Sequence, residues 1–257
     1  MNRADFQLLE LNGGLVTFGT TTTCWLPPVS AGYADAQFDD YAGDGSGLWG
    51  WGHGRFRWHP GLTLSLRARF SHEADRLVGT AGFGFWNSPF GDPSVPRPAL
   101  PQATWFFFAS EPSNLPLPLE GPGRGWFAAT VDAGQRTAVS LIPLAPFVLL
   151  LNRLPAARRR IWPIVRRRLG ISFAPIPAAI TAWHTYTLTW LPDGCVFKVD
   201  GRTILQTSHS PRGPLGFVCW MDNQYMAVTV DGRFGWGALS VPAVQWLEVA
   251  DLAIYQA

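Results

Sequence analysis

Several short segments of the chain alternate apolar and polar side chains with a period of two. Residues 62–70 place five apolar side chains on one face, namely Leu62, Leu64, Leu66, Ala68 and Phe70. Residues 184–190 repeat the pattern with Tyr186, Leu188 and Trp190. Alternation over this length is typical of β-strands that bury one face.

Turn-forming residues separate the alternating segments. The tripeptide PDG at 192–194 divides segment 184–191 from segment 196–201, which predicts a β-hairpin. We predict further strands near residues 15–20, 80–86, 103–109, 126–132, 203–207, 215–222, 225–230 and 246–255. The pattern therefore predicts an all-β fold.

Residues 143–178 interrupt this pattern. Apolar residues fall there at roughly helical spacing among many arginines, and Pro155 and Pro163 would start or kink short helices. We predict an insertion of one or two helices. It either packs on the sandwich as a solvated cap, or forms a basic amphipathic surface that lies on an anionic membrane or gates a pocket.

Composition agrees with one β-sandwich domain over residues 1–257. The 13 Trp, 17 Phe, 27 Gly and 22 Pro favour many strands joined by tight turns. Lys198 is the only lysine beside nineteen arginines, but the net charge is just +2, which argues against a nucleic-acid partner. The spacing of Cys24, Cys195 and Cys219 fits neither a disulfide framework nor a zinc site, so we expect no cofactor apart from the calcium considered below.

The ends of the chain and its hydropathy bear on location. The N-terminal residues MNRADFQLLELNGG lack the apolar core of a signal peptide. The sequence also lacks the run of about 18 apolar residues that a transmembrane helix needs. We therefore expect a cytoplasmic protein, with peripheral membrane contact through residues 143–178 as an alternative.

Three segments resemble glycoside hydrolase family 16. WHTYTLTWLPDGCVFKVDGRTI at 183–204 is similar to a strand pair of that family, WLEVADLAIYQ at 246–256 to its closing strand, and GFGFWNSP at 82–89 to its P-A-F-W-L strand. The resemblance covers about residues 60–257. It implies a concanavalin-like jelly-roll sandwich of two antiparallel sheets.

The catalytic residues of that family do not carry over. The family uses E-x-D-x-x-E on one strand, which places a nucleophile and an acid at the separation of a retaining glycosidase. The corresponding segment here, PQATWFFFASE at 101–111, has only Glu111 at its end. The resemblance thus argues against ordinary double-displacement hydrolysis. It also implies that Asp251 is a candidate ligand for a structural calcium ion.

The phase of each strand predicts which side chains line a concave cleft. We expect Phe217, Cys219 and Met221 to point into the core, with Trp220, Asp222 and Gln224 on the opposite face. By the same argument Phe127, Ala129 and Val131 point inward, whereas Trp126, Thr130 and Asp132 face away. In segment 81–87 the positions that face away are Gly82, Gly84 and Trp86. The sequence therefore predicts a Trp-walled cleft. The alternative is that the insertion covers these Trp side chains and makes a second core.

An aspartate among Trp side chains should have a raised pKa, so we predict Asp222 as a general acid or base. The alternative is a hydrogen-bonded aspartate that orients a loop. Asp132, Asp39 or Asp40 would supply the second acidic group. The predicted ligand-binding residues are Trp86, Asn87, Trp105, Trp126, Trp220, Gln224, Trp49 and Trp51.

Three functions remain open at this point. The first is binding, with acid–base isomerisation, cyclisation or hydrolysis, of an apolar or aromatic small molecule in the cleft. The second is a carbohydrate-binding or catalytically degenerate module similar to family 16. The third is a non-catalytic interaction protein whose cleft is filled.

Overall fold

The computed structural model describes residues 3–41, 56–89 and 100–257. The strands in this part of the chain are β1 (Gln7–Leu11), β2 (Leu15–Phe18), β3 (Thr22–Leu26), β4 (Asp35–Asp39), β5 (Leu62–Phe70), β6 (Thr80–Trp86), β7 (Gln102–Ala109), β8 (Gly125–Asp132), β9 (Ser172–Pro175), β10 (His184–Leu191), β11 (Gly194–Val199), β12 (Arg202–Thr207), β13 (Gly216–Asp222), β14 (Gln224–Val228), β15 (Phe234–Ala238) and β16 (Gln245–Gln256). The α-helices are α1 (Arg136–Val139), α2 (Ala145–Asn152) and α3 (Pro155–Arg168).

Two seven-stranded antiparallel sheets form the jelly-roll sandwich predicted from the sequence. The first sheet has the order β1-β4-β13-β6-β7-β8-β9, and the second has the order β12-β11-β10-β5-β16-β3-β2. Strands β14 and β15 form a separate two-stranded hairpin. The predicted hairpin at 184–201 is confirmed, since β10 pairs with β11 up to Leu191 and Gly194. No helix in the described residues is long and apolar enough to cross a membrane.

The space between the two sheets is filled mainly by aromatic side chains. Phe83 of β6 lies 5.4 Å from Phe106 and 5.2 Å from Tyr186, measured between ring centroids. Phe197 meets Phe106 edge-on at 5.3 Å. Edge-to-face packing of buried rings adds to the free energy of burying their apolar area. This inter-sheet core holds the two sheets together.

A second hydrophobic cluster covers the other side of the first sheet. We call this side, which points away from the second sheet, the outer face. Trp162 and Val165 of α3 are buried there in one cluster with Phe107, Phe127 and Trp220. The helical insertion predicted over 143–178 is therefore confirmed, and its second helix is a packed cap. Its last part is not helical, since β9 adds an edge strand to the first sheet beside β8.

The predicted phase of strand 126–132 is wrong. Trp126 points into the inter-sheet core, where its ring lies 5.2 Å from Phe70 and 5.7 Å from Phe83. Phe127 and Ala129 point to the outer face instead. The strand is buried on both sides, so it lacks the polar side that fixes the phase of a half-buried strand. Thr130 and Asp132 lie on the same side of the strand as Trp126. Because both are polar, they led to the wrong prediction that this side faces away from the core.

Replacement of Trp126 tests this orientation. Trp126→Ala should lower the free energy of unfolding by about 3–5 kcal/mol, because it opens a cavity between the sheets. Trp25→Ala is the matched control. Trp25 is half-buried on β3, so its loss should cost less than about 2 kcal/mol. Urea unfolding followed by circular dichroism measures both, and equal costs would contradict the inward orientation of Trp126.

Candidate functional site

Two aspartates lie side by side at one end of the outer face. Asp35 of β4 and Asp222 of β13 are directly opposite each other in the strand register. The hydroxyl group of Tyr33 is 3.1 Å from Oδ2 of Asp35 and 3.4 Å from Oδ2 of Asp222. Both carboxyl groups are buried, whereas Tyr33 is 38% exposed. Tyr33 therefore links a buried acid pair to the surface.

The backbone of neighbouring strands holds Asp222 in place. Its Oδ1 accepts hydrogen bonds from the Thr80 amide (3.2 Å), the Thr80 hydroxyl (2.8 Å) and the Gln224 amide (2.9 Å). The Thr80 hydroxyl in turn accepts one from Nε1 of Trp220 at 3.0 Å. Such donors stabilise a carboxylate. Asp222 is thus the member of the pair whose ionised form is better supported.

Asp35 has a poorer environment for negative charge. Its Oδ1 is buried without a hydrogen-bond partner. Burial, and next the nearby charge of Asp222, raise the pKa of Asp35 well above its usual range. Burial also raises the pKa of Asp222, but its hydrogen bonds limit the rise to about 6. Asp35 is therefore the group that keeps its proton at neutral pH.

The contacts of Tyr33 independently indicate that one of the two carboxyl groups is protonated. A phenol has one hydrogen, so it can donate to only one of the two carboxyl groups. Both contacts are hydrogen bonds only when one carboxyl group is protonated and donates to the phenol oxygen. A proton shared by two close carboxyl groups is the arrangement found in acid–base active sites.

A buried asparagine fixes the turn that carries Tyr33. Oδ1 of Asn223 accepts a hydrogen bond from the Ala34 amide at 2.8 Å, and its Nδ2 donates to the carbonyl groups of Gly32 and Leu239. Asn223 directly follows Asp222, so the acid and the turn that covers it are held by adjacent residues. The acid pair and its tyrosine consequently form one unit.

Three indole rings continue along the outer face from the acid pair. Trp220 and Trp86 are parallel within 8° at 6.4 Å between ring centroids, and Trp105 lies 5.7 Å from each. Gly82 makes room for this row, because a Cβ atom there would lie 2.9 Å from the Trp220 ring. Trp220 is buried, but Trp86 and Trp105 are half-buried. Nε1 of Trp86 donates to the Tyr41 hydroxyl at 2.7 Å.

The three other predicted acids do not join Asp222. Asp39 shares the outer face but stands opposite Val218, and it accepts hydrogen bonds from Gln37 and from the Tyr41 amide. Asp40 binds Arg57, Trp58 and the Phe217 amide, which is a structural arrangement. Asp132 stands opposite Gln102, at the other end of the sheet from Asp222. The register thus excludes all three as its partner.

The remaining predicted ligand residues have different outcomes. Asn87 is buried and anchors the backbone of Leu100 and Gln102 through its side-chain amide. Gln224 supports Asp222 with its backbone amide. Trp126 is in the inter-sheet core. Trp49 and Trp51 lie outside the described residues.

Nothing in the described part of the chain supports a calcium site at Asp251. Its exposed carboxylate lies 3.6 Å from a guanidinium nitrogen of Arg67. No group of three or more His, Cys, Asp or Glu side chains that could hold a metal ion occurs among residues 3–41, 56–89 and 100–257. Asp251 therefore lies at the surface of the second sheet, beside Arg67.

Sequence reasoning missed Asp35 and Tyr33. The signal was present as acidic and amide side chains at alternate positions, Asp35, Gln37 and Asp39. In a strand these three share one face. The segment lies just before a Gly-rich stretch, so it resembled a loop instead of strand β4.

Comparison with known proteins identifies the fold. No protein-family model and no curated protein matches the sequence. Among solved structures, the GlcNAcα1-4Gal releasing endo-β-galactosidase from Clostridium perfringens has a TM-score of 0.50 at 11% identity, over 97% of this chain and 58% of that one. The Crh5 transglycosylase in complex with NAG has a TM-score of 0.49 at 8% identity, over 99% and 79% of the two chains. This chain therefore spans little more than half of the endo-β-galactosidase chain and shares its fold.

The acid pair predicts an unusual dependence of stability on pH. In the unfolded chain both carboxyl groups ionise near pH 4, whereas the folded pKa of Asp222 is about 6 and that of Asp35 is raised well above its usual range. The folded state thus holds more protons above about pH 4, so stability falls as the pH rises from there. Asp35→Asn should raise the free energy of unfolding at pH 7.5 by about 1–3 kcal/mol, and the gain should vanish near pH 3.5.

Asp200→Asn is the control with the opposite sign. Hydrogen bonds from His184 and from the Thr185 amide lower the pKa of Asp200. Its substitution should therefore reduce stability at neutral pH and have little effect in acid. Urea unfolding across this pH range measures both variants. A loss of stability in Asp35→Asn at pH 7.5 would rule out the shared-proton arrangement.

Proposed function

We propose that this protein recognises carbohydrate on the outer face of its first sheet. The observation that carries the proposal is the row of indoles in which Trp86 and Trp105 keep part of their surface exposed, with the buried Trp220 between them and the acid pair. An indole offers a flat apolar face on which a sugar ring can stack. At the end of that row the hydroxyl group of the part-exposed Tyr33, backed by the buried Asp35 and Asp222, supplies a hydrogen-bonding partner for a sugar hydroxyl.

The fold is consistent with this function. It is shared with an endo-β-galactosidase, and jelly-roll sandwiches include many lectin domains. Fold alone does not determine function, so the proposal depends on the side chains of the outer face. An open apolar cleft has less support, because α3 and the buried Trp220 and Phe107 fill much of this face.

The proposed site differs from that of a standard retaining glycosidase. Strand β7 presents Ala103, Trp105, Phe107 and Ala109 to the outer face. None of these can act as a nucleophile or an acid. Recognition by aromatic side chains is therefore the main proposal, and the acids lie two strands away on β13 and three strands away on β4.

Loss of one indole tests carbohydrate recognition. Trp105→Ala should weaken binding of an oligosaccharide about tenfold or more, because it removes one of the two part-exposed indoles of the row. Isothermal titration against galactosides, chitin oligosaccharides and β-glucan oligosaccharides measures the dissociation constants. Trp183→Ala is the control, since that half-buried indole stacks with Arg67 and Arg69 on the second sheet. The proposal fails when no saccharide binds, or when both variants lose affinity equally.

A second candidate function is acid–base catalysis by the pair. The observation that favours it is the contact of the Tyr33 hydroxyl with both Asp35 and Asp222, which gives the buried pair a route to the surface. A carboxylic acid and a carboxylate linked through one phenol can exchange a proton with a bound ligand near neutral pH. The chemistry suits hydrolysis of a saccharide, or isomerisation or cyclisation of an apolar or aromatic small molecule.

Asp222→Asn tests this second candidate. Turnover of 4-nitrophenyl glycosides should fall by about 10²- to 10⁴-fold with KM little changed. Asp132→Asn removes a buried acid at the opposite end of the sheet and should keep wild-type turnover. Absence of turnover in the wild type, or equal rates in the wild type and Asp222→Asn, would reject catalysis by the pair.

A further inference from the structure

Helix α2 exposes a stripe of large apolar side chains. Phe147 and Leu150 are three residues apart, so they fall on one side of α2, and Leu154 lies beyond its end, directly before α3. Their exposed fractions are 60%, 58% and 59%. A solvent-facing helix normally presents polar side chains there. In the described part of the chain these apolar side chains are therefore largely without packing neighbours.

The hairpin β14–β15 exposes a second apolar set. Phe234 is 74% exposed and Trp236 is 61% exposed. They alternate along β15, and their partners across the hairpin are Val228 and Met226. Residues opposite each other in an antiparallel pair share a face. One face of the hairpin is therefore formed by four apolar side chains.

The helix and the hairpin are joined at the hairpin turn. Leu149 of α2 lies over Gly232, with its Cδ2 atom 3.5 Å from where a Cβ atom would stand. The buried Asn152 donates a hydrogen bond to the Val230 carbonyl at 2.9 Å. These contacts fix α2 beside the hairpin. We call the exposed side chains of Phe147, Leu150, Leu154, Phe234 and Trp236 the apolar patch.

Arginines are frequent in the insertion that carries α2 and α3. No Asp or Glu occurs between Asp132 and Asp193, whereas eight arginines do. Three of them, Arg158, Arg159 and Arg160, are exposed on the first turns of α3. Asp231 in the hairpin turn accepts a hydrogen bond from Thr229 and lies 3.5 Å from Nε of Arg233. The insertion that carries α2 is thus strongly basic in a chain of net charge +2.

We propose that the apolar patch and its arginines dock on the surface of an anionic lipid bilayer. Exposed apolar side chains bordered by cations are the features of proteins that lie in the interface of a membrane. The apolar side chains enter the boundary between headgroups and acyl chains, and the arginines bind lipid phosphates. This contact uses α2 and the hairpin, while α3 packs its own apolar side on the sheet.

The charge argues for lipid over a second copy of the chain. A symmetric dimer through this patch would bring two sets of arginines together, while Asp231 of the hairpin turn is already paired with Arg233. An anionic bilayer neutralises the same charge. The proposal does not depend on the proposed carbohydrate recognition, because the patch shares none of its residues with the indole row or the acid pair.

Vesicle cosedimentation tests the proposal. The protein should pellet with vesicles of phosphatidylcholine and phosphatidylglycerol in equal parts, and far less with phosphatidylcholine alone. Conversion of Arg158, Arg159 and Arg160 to Gln should weaken the partition about a hundredfold. The double variant Phe147→Ser with Leu150→Ser should also weaken it. High salt should lower binding by the wild type.

Two controls distinguish docking through the apolar patch from non-specific adsorption to vesicles. Conversion of Arg3, Arg76 and Arg202 to Gln removes the same charge from other exposed positions and should leave partition within about twofold. Leu15→Ser removes a leucine that is 48% exposed on β2. Equal losses in the control and test variants would overturn the proposal. An absence of vesicle binding would also overturn the proposal. If light scattering then shows that the serine double variant converts a dimer to a monomer, the apolar patch is a dimer interface instead.

Discussion

The structure depends on the burial of the first sheet on both of its faces. One face packs against the second sheet, and the outer face packs against α3 and its neighbours. Every residue of β13 is buried as a result. A sheet enclosed in this way must satisfy or neutralise any polar side chain that it contains, since water is excluded from both sides. The form of the candidate site follows from that requirement.

The acid pair is costly in such a position. A single buried carboxylate is unfavourable, and a second one nearby adds to the cost, since the charge of Asp222 raises the pKa of Asp35. The chain offsets part of this cost at Asp222 with three donors, but leaves Oδ1 of Asp35 without one. A costly arrangement that is only half compensated is typical of a functional site.

The two sheets differ in how well they can be predicted from the sequence. Strands β5 and β10 alternate because the second sheet buries one face, so their existence and phase were predictable. Strand β8 is buried on both faces and gave no such signal, which is why Trp126 was assigned to the wrong side. The pairing of Asp35 with Asp222 joins residues 187 positions apart. Local pattern contains no information about that register.

The two proposed surfaces meet at the start of β14. The Gln224 amide binds Asp222, and the same strand continues to Met226 and Val228, which lie opposite Trp236 and Phe234 of the apolar patch. A contact that holds the hairpin on a bilayer therefore acts on the strand that also supports the acid. Because the hydrogen bond to Asp222 comes from the backbone, it does not depend on the side chain at position 224. The two proposed surfaces thus share strand β14, which joins them through its main chain.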